Sequence, residues 1–309
     1  MSLTRRSFAL MTAAAATAAG QKPNSRIGGV QIGAITYCFR SLPSSAPELL
    51  GYCTELGISA VELMGDAAES FAGAPQMRGP AFAGRQMTPE RQAAMKKLAA
   101  ERTAWRTSVS MDKYKELRKL YSAAGVNIAI VKLSLTADMG DAEYDYVFHV
   151  AKALGARSVT MELPKEAALT ERIGAFAAKH KIYAGYHNHM QVNEQSWETA
   201  LGQSKYNSIN LDVGHFTAAI NKSPIPFIRA NAPRITSFHL KDRRYGNEGA
   251  ANLPWGEGRT PIKEVLQLMK KEKYTWPANI ELEYAIGEGS TVMAEMKKCL
   301  DYCREALAG

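Results

Sequence analysis

The sequence predicts an α/β fold of a single domain, a (β/α)8 TIM barrel with an extended helical insertion after its second strand. Three observations predict it. From about residue 30 onward, short β-branched runs alternate with longer helical patterns, the order that gives parallel strands joined by crossover helices. There are eight such runs, the number that closes a barrel. None of the joints has the composition of a domain linker, and 309 residues fit one large barrel.

In chain order, residues 1–26 are expected to be a leader and 27–309 the barrel. Arg5 and Arg6 stand ahead of Phe8 and an Ala/Thr-rich, weakly apolar stretch, which has the shape of a twin-arginine signal peptide. That address would place the protein in the periplasm, or otherwise beyond the inner membrane of a bacterium. The route exports folded proteins, which suits a domain that acquires its metal first. No later stretch approaches the roughly 18 consecutive apolar residues of a membrane span.

The candidate strands are 31–37, 60–64, 128–133, 158–163, 182–187, 209–213, 235–241 and 278–283, and the helical patterns include 46–56, 144–154, 169–180, 262–273 and 291–308. Gly57, Gly125 and Gly155 each stand where a helix stops ahead of a strand. The one oversized connection, 65–110, is rich in Gly and Pro and then charged and helical from about 89 to 105, the character of a lid or a homo-oligomer contact.

Apolar residues make up 46% and charged residues 22%, which excludes a disordered or fibrous chain. Lys and Arg (38) against Asp and Glu (30) give +8, and +6 without Arg5 and Arg6. No dense basic run is interleaved with aromatics, so nucleic acid is not an expected partner. Cys38, Cys53, Cys299 and Cys303 fit neither a CxxC motif nor a Cys/His zinc spacing. Cys299 and Cys303, four apart on a helix, match a disulfide poorly, so the cysteines are expected as small buried apolar side chains.

Barrel chemistry sits at the C-terminal ends of strands. Glu162, His187, Asp212, His239 and Glu281 occupy such ends, the first four separated by 25, 25 and 27 residues, one strand-plus-helix unit each. Glu283 rivals Glu281, because alternation puts both on one face. Carboxylates and imidazoles gathered at one mouth need a cation to neutralise them. Mixed oxygen and nitrogen donors suit Mn²⁺, Mg²⁺, Co²⁺ or Zn²⁺, so Glu162, His187, Asp212, His239 and Glu281 are the candidate ligands.

Asp-x-x-His (Asp212, His215), His-x-Lys-Asp (His239, Lys241, Asp242), a Gly-Glu-Gly loop (Gly256, Glu257, Gly258) and the terminal Ile-Glu (Ile280, Glu281) resemble the xylose isomerase-like TIM-barrel family. That group spans sugar isomerases and epimerases, inosose dehydratases and endonuclease IV. The resemblance covers nearly the whole chain after the leader. It implies a divalent metal held at the ends of strands five to eight by an acid, the Asp of Asp-x-x-His, a His and a Glu. Here strand five offers His187 instead of Glu, which leaves open whether His187 or Glu162 is the fourth ligand.

The resemblance implies a metal-dependent sugar isomerase or epimerase, expected to act on a non-phosphorylated keto-sugar, inosose or 3-keto-glycoside through an enediolate. A lyase or dehydratase on the same substrates and a non-catalytic exported sugar-binding barrel are the alternatives. Glu162, His187, Glu281 and Lys132 are the candidate proton-transfer groups. His189, His215, Lys241, Trp255, Glu62 and Tyr37 are the candidate substrate contacts, Trp255 and Tyr37 as apolar walls for a sugar ring. No phosphate-cradling Gly-rich turn precedes a helix.

Overall fold

In the computed structural model the described residues are 22–77 and 87–308. Eight parallel strands form the sheet: β1 (Val30–Ile35), β2 (Ala60–Met64), β3 (Asn127–Lys132), β4 (Ser158–Glu162), β5 (Tyr183–His187), β6 (Asn207–Asp212), β7 (Ile235–Leu240) and β8 (Ala278–Ile280). Each pairs with its sequence neighbour, and β8 pairs back onto β1 in register Ala278 with Ile32, so the sheet closes as predicted. Around it run α1 (Ala46–Leu56), α2 (Gly65–Phe71), α3 (Pro89–Arg106), α4 (Asp112–Ala123), α5 (Asp141–Leu154), α6 (Ala167–His180), α7 (Glu198–Gln203), α8 (Val213–Ile220), α9 (Ile225–Asn231), α10 (Ile262–Glu272) and α11 (Val292–Ala308).

The period-two pattern separates two environments. In β6, Ile209 and Leu211 turn outward and are fully buried beneath helices, while Asn210 and Asp212 turn inward. Bonds across the barrel fix that inward face: Glu62 on β2 meets Thr160 on β4 at 2.6 Å, His239 on β7 at 2.7 Å and Asn279 on β8 at 3.1 Å. The upper interior is therefore polar, whereas the apolar core lies between sheet and helices. Buried polar groups of this density must be paired, and most of these are; Asp212 Oδ2 and Asn279 Oδ1 accept no hydrogen bond.

The predicted helix stops hold at Gly57, Gly125 and Gly155, all with positive φ. α1 opens with a capping box between Ser45 and Glu48. The last strand differs from expectation: pairing ends at Ile280, so Glu281 and Glu283 lie just beyond it. The short helices α2, α7, α8 and α9 span eight residues or fewer, too few turns for their periodicity to stand out in the sequence.

The insertion holds α3, which buries no residue of its own. Arg106 ties it down through Glu69 at 2.9 Å and Glu143 at 3.5 Å. The Gly/Pro-rich part from 78 to 86 lies outside the described residues, as do 1–21 with Arg5 and Arg6. Ser25 and Arg26, expected in the leader, instead belong to the base of the barrel. Ser25 is buried and donates its hydroxyl to the Ile32 carbonyl at 2.6 Å, and Arg26 starts a short antiparallel strand against β1. The four cysteines are free and buried. No helix among the described residues is long and apolar enough to cross a membrane.

Candidate active site and metal centre

One cleft opens at the C-terminal mouth of the barrel. Its lining includes Tyr37, Met64, Lys132, Glu162, His187, His189, His215, Lys241, Glu281 and Glu283, around a volume of about 170 Å³. On its floor His187, Asp212, His239 and Glu281 are buried, and one donor atom of each lies within 4.8 Å of the others.

Each of the four is aimed by a neighbour. The Asp-x-x-His motif is the start of α8: Asp212 is its N-cap, and Oδ1 accepts from the His215 backbone N–H at 2.7 Å. That leaves Oδ2 for the cluster. The Asn188 side chain clasps the Asp212 backbone, accepting from its N–H at 2.9 Å and donating to its carbonyl at 3.2 Å. His187 Nδ1 lies 2.8 Å from Asn210 Oδ1, and because that oxygen only accepts, the imidazole donates and Nε2 is left with a lone pair. His239 is flanked by Glu62 at Nε2 (2.7 Å) and Glu281 at Nδ1 (3.1 Å).

The donor set fits a divalent ion. Two ligands of an octahedral ion with bonds of about 2.1 Å stand ~3 Å apart, close to the 3.1 Å between His239 Nδ1 and Glu281 Oε2. Asp212 Oδ2 is buried and receives no hydrogen bond. Glu62 behind His239 and Asn210 behind His187 are the outer partners that metal-binding imidazoles use. The charges leave a small excess of carboxylates: Glu62, Glu162, Asp212, Glu281 and Glu283 face His239, Lys241, Lys132 and Arg243, five against four groups that can carry positive charge.

Lys241 is nearly buried, 2.6 Å from Glu283, 2.9 Å from Asp212 and 3.0 Å from Glu281. Its hydrogen bond goes to Glu283, while its effect on Asp212 is through charge. Gly214 makes room for it, since a Cβ there would stand 2.5 Å from both Lys241 Cγ and the Lys241 carbonyl. Burial opposes its charge, but the three carboxylates hold its pKa above the usual lysine range.

Burial drives the Asp212 carboxyl up to about 7 against the pull of Lys241. His239 is pushed down by burial but raised further by Glu62 and Glu281, to about 10. Burial, then the charges of His239 and Lys132, push His187 down to about 3, so it is neutral at physiological pH. Arg243 donates to His215 Nδ1 at 2.8 Å, which makes that imidazole a neutral ring with its proton on Nε2.

A second group stands above the floor. Glu162 is half exposed, with Oε1 2.9 Å from Lys132 and Oε2 3.1 Å from His189. Burial raises its pKa, but His189 and Lys132 outweigh that and bring it to about 2. His189 is raised by the same contact.

Residues 50–305 match the xylose isomerase-like TIM barrel family. The chain belongs to that family. Solved structures repeat the fold at low identity. A xylose isomerase domain protein from Alicyclobacillus acidocaldarius is 14% identical with a TM-score of 0.62, covering 91% of this chain and 100% of its own. A probable 3-DHS dehydratase, AsbF, from Bacillus anthracis is 16% identical at 0.59, covering 91% and 99%. A sugar phosphate isomerase/epimerase from Parabacteroides distasonis is 16% identical at 0.59, covering 93% and 97%. No curated protein matches the chain.

Three expectations change. Glu162 stands outside the buried four, because β4 ends with its side chain turned toward solvent; with His187 and His189 it forms a second group whose donor atoms could hold a metal ion, its oxygens 2.9 Å from Lys132 and 3.1 Å from His189. Glu62 is fully buried beneath the cleft, so it orients His239 and does not meet a substrate. Trp255 lines a separate cavity with Tyr284 and Tyr302, because the loop after β7 carries it away from the mouth. His187, His189, His215, Lys132, Lys241, Glu281 and Tyr37 do line the cleft, and Asp212 and His239 lie at its floor.

Sequence reasoning missed Asn188, Asn210 and Asn279. Asn210 and Asn279 stand two residues before Asp212 and Glu281, on the same inward face, which was the available signal.

Proposed function

We propose that the chain is a divalent-metal-dependent enzyme that moves a proton on a carbon next to a ketone in a non-phosphorylated sugar, inosose or 3-keto-glycoside. The observation that carries this reading is the buried set His187, Asp212, His239 and Glu281, whose donor atoms all lie within 4.8 Å of one another. These four would hold Mn²⁺, Mg²⁺, Co²⁺ or Zn²⁺, which when bound would polarise the ketone and stabilise the enediolate charge.

The chain's own residues supply the proton transfer from two walls. On one, Glu162 accepts a hydrogen bond from the His189 Nε2–H, which leaves the other ring nitrogen as a base. On the other, Lys241 donates to Glu283. The groups come from the ends of β4 and β5 and from the ends of β7 and β8, three strands apart around the barrel, so one pair can take a proton and the other return it. Return to the neighbouring carbon is isomerisation, and return to the opposite face is epimerisation. If a β-substituent leaves instead, the Lys241–Glu283 pair would protonate it, which is the lyase alternative. Tyr37, 38% exposed at the rim, would cover the sugar ring. The paired Arg5 and Arg6 add the proposal that this happens after export.

The test is exchange of the substrate C–H for deuterium with 3-keto-glucosides, inososes and free keto-sugars. Exchange should require a divalent ion, stop on chelation and stop in His189→Asn with the ion still bound. Exchange that survives a chelator, or none from the loaded protein on any of these substrates, would overturn the reading.

A further inference from the structure

A second cavity of about 460 Å³ lies beside the mouth, between the loop after β7, the loop after β8 and the start of α11. Only the chain itself separates the two spaces, since Glu283 lines the mouth and Tyr284 lines the second cavity. Loops after strands seven and eight and a nearby helix N-terminus are where (β/α)8 barrels commonly bind phosphate.

This chain has filled that place with the wrong charges for phosphate. Glu257, Glu288 and Glu295 line the cavity against one cation, Lys298, which is already 2.7 Å from Glu295. The helix end is answered as well. Thr291 accepts the Ala294 N–H at 3.1 Å through its hydroxyl and the Glu295 N–H at 2.9 Å through its carbonyl, and Glu295 itself places a negative charge in the first turn. A phosphate would meet net repulsion here.

The remaining chemistry is that of a sugar ring. Trp255 and Tyr302 pack edge to face with centroids 5.7 Å apart, giving an aromatic wall. Trp255 Nε1 is shielded from solvent yet finds no hydrogen-bond acceptor among the described residues. Glu257 and Glu288 are exposed carboxylates at the rim, ready to accept from hydroxyls. Tyr284 is buried with its hydroxyl on Glu295 at 2.7 Å, so the three-sided aromatic cage that a quaternary ammonium needs does not form. Another large cavity, under α3, is walled by Met77, Met95 and Met139 with Arg102 and Arg106, which offers no such platform.

We infer that this second cavity is a binding site for a neutral, non-phosphorylated sugar unit, the part of a glycoside that the small mouth of about 170 Å³ cannot hold. It rests on the carbohydrate reading of the mouth, but binding here needs no metal, so the two can fail separately.

The experiment uses the full chain after chelation, titrated with cellobiose, maltose, glucose, glucose 6-phosphate and glucosamine, and read by tryptophan fluorescence and calorimetry. Saturable binding of a neutral disaccharide is expected without metal. It should weaken at least tenfold in Trp255→Ala, weaken less in Trp255→Phe, which keeps an aromatic face but removes the Nε1 donor, and be unchanged in Asp212→Asn. The rim variant Glu257→Gln/Glu288→Gln, which does not touch the core, should weaken it several-fold. Glucose 6-phosphate should bind at least tenfold more weakly than glucose. No saturable binding of any sugar would overturn the inference, as would binding lost in Asp212→Asn but kept in Trp255→Ala. Binding of glucose 6-phosphate or glucosamine tenfold tighter than glucose would overturn it too. Metal-dependent C–H exchange at the mouth, measured alongside, reports on the first reading alone.

Discussion

The protonation of His239 in the metal-free protein makes the site measurable through stability. Its imidazole lies between Glu62 at 2.7 Å and Glu281 at 3.1 Å, fully buried, and its pKa is raised from 6.5 to about 10. A raised pKa contributes stability that is complete below the unfolded value and is lost as pH rises toward the folded value. Between pH 6.5 and 8 the unfolded imidazole goes from half protonated to neutral, and the folded one keeps its proton. The slope reaches about 1.4 kcal/mol per pH unit only once the unfolded ring is neutral, so His239 by itself should cost the metal-free protein about 1.6 kcal/mol over that window. Asp212, raised to about 7, acts in the same direction, because ionising it inside the fold is unfavourable. His187, lowered to about 3, and His215, also lowered, act in the opposite direction by about 0.4 kcal/mol each, because the unfolded imidazole is still half protonated at pH 6.5. Stopping at pH 8 also keeps the buried thiols out of the measurement. Urea unfolding followed by circular dichroism, at pH 6.5 and 8.0 with chelator, gives the difference. In Glu62→Gln the loss should shrink to well under half, because the principal charge holding the His239 proton is gone. Saturating Mn²⁺ should flatten the wild-type dependence too, since a coordinated His239 is neutral at both pH values. A flat wild-type profile in chelator, or an unchanged slope in Glu62→Gln, would refute the electrostatic account of the site.

Asp212→Asn should remove stoichiometric Mn²⁺ after dialysis, measured by elemental analysis, while circular dichroism stays native. Asn210→Leu frees the His187 ring and should weaken divalent binding by roughly 10- to 100-fold in a calorimetric titration, the usual effect of losing an outer partner. Gly258→Ala should cost at least about 2 kcal/mol in urea unfolding, because its Cβ would stand 2.2 Å from Asp242 Oδ1, the carboxylate that caps the Gly-Glu-Gly loop through the Gly256 and Gly258 N–H groups.

The two corrections of position share one cause. Trp255 stood in the sequence as a candidate wall for the sugar, and only the path of the loop after β7 shows that it faces a different cavity. Glu162 ends its strand as expected, yet Lys132 from β3 and His189 from beyond β5 draw its carboxylate out of the floor. Loop paths and ion pairs between strands depend on geometry in space, and no spacing along the chain records them.

What the sequence determined by itself is the barrel and the chemical types at its mouth. Alternation of short strands with helices is a local property, dictated by which side chains can face a sheet, and it placed His187, Asp212, His239 and Glu281 at successive strand ends. Tertiary structure alone decided which groups meet. Glu62 reaches His239 across 177 residues, and Asn279 reaches Glu62 across 217, only because closure brings β2, β7 and β8 to one axis. Burial in that shared interior then sets whether each carboxylate and imidazole is charged, since removal from water penalises an ion that its neighbours do not balance.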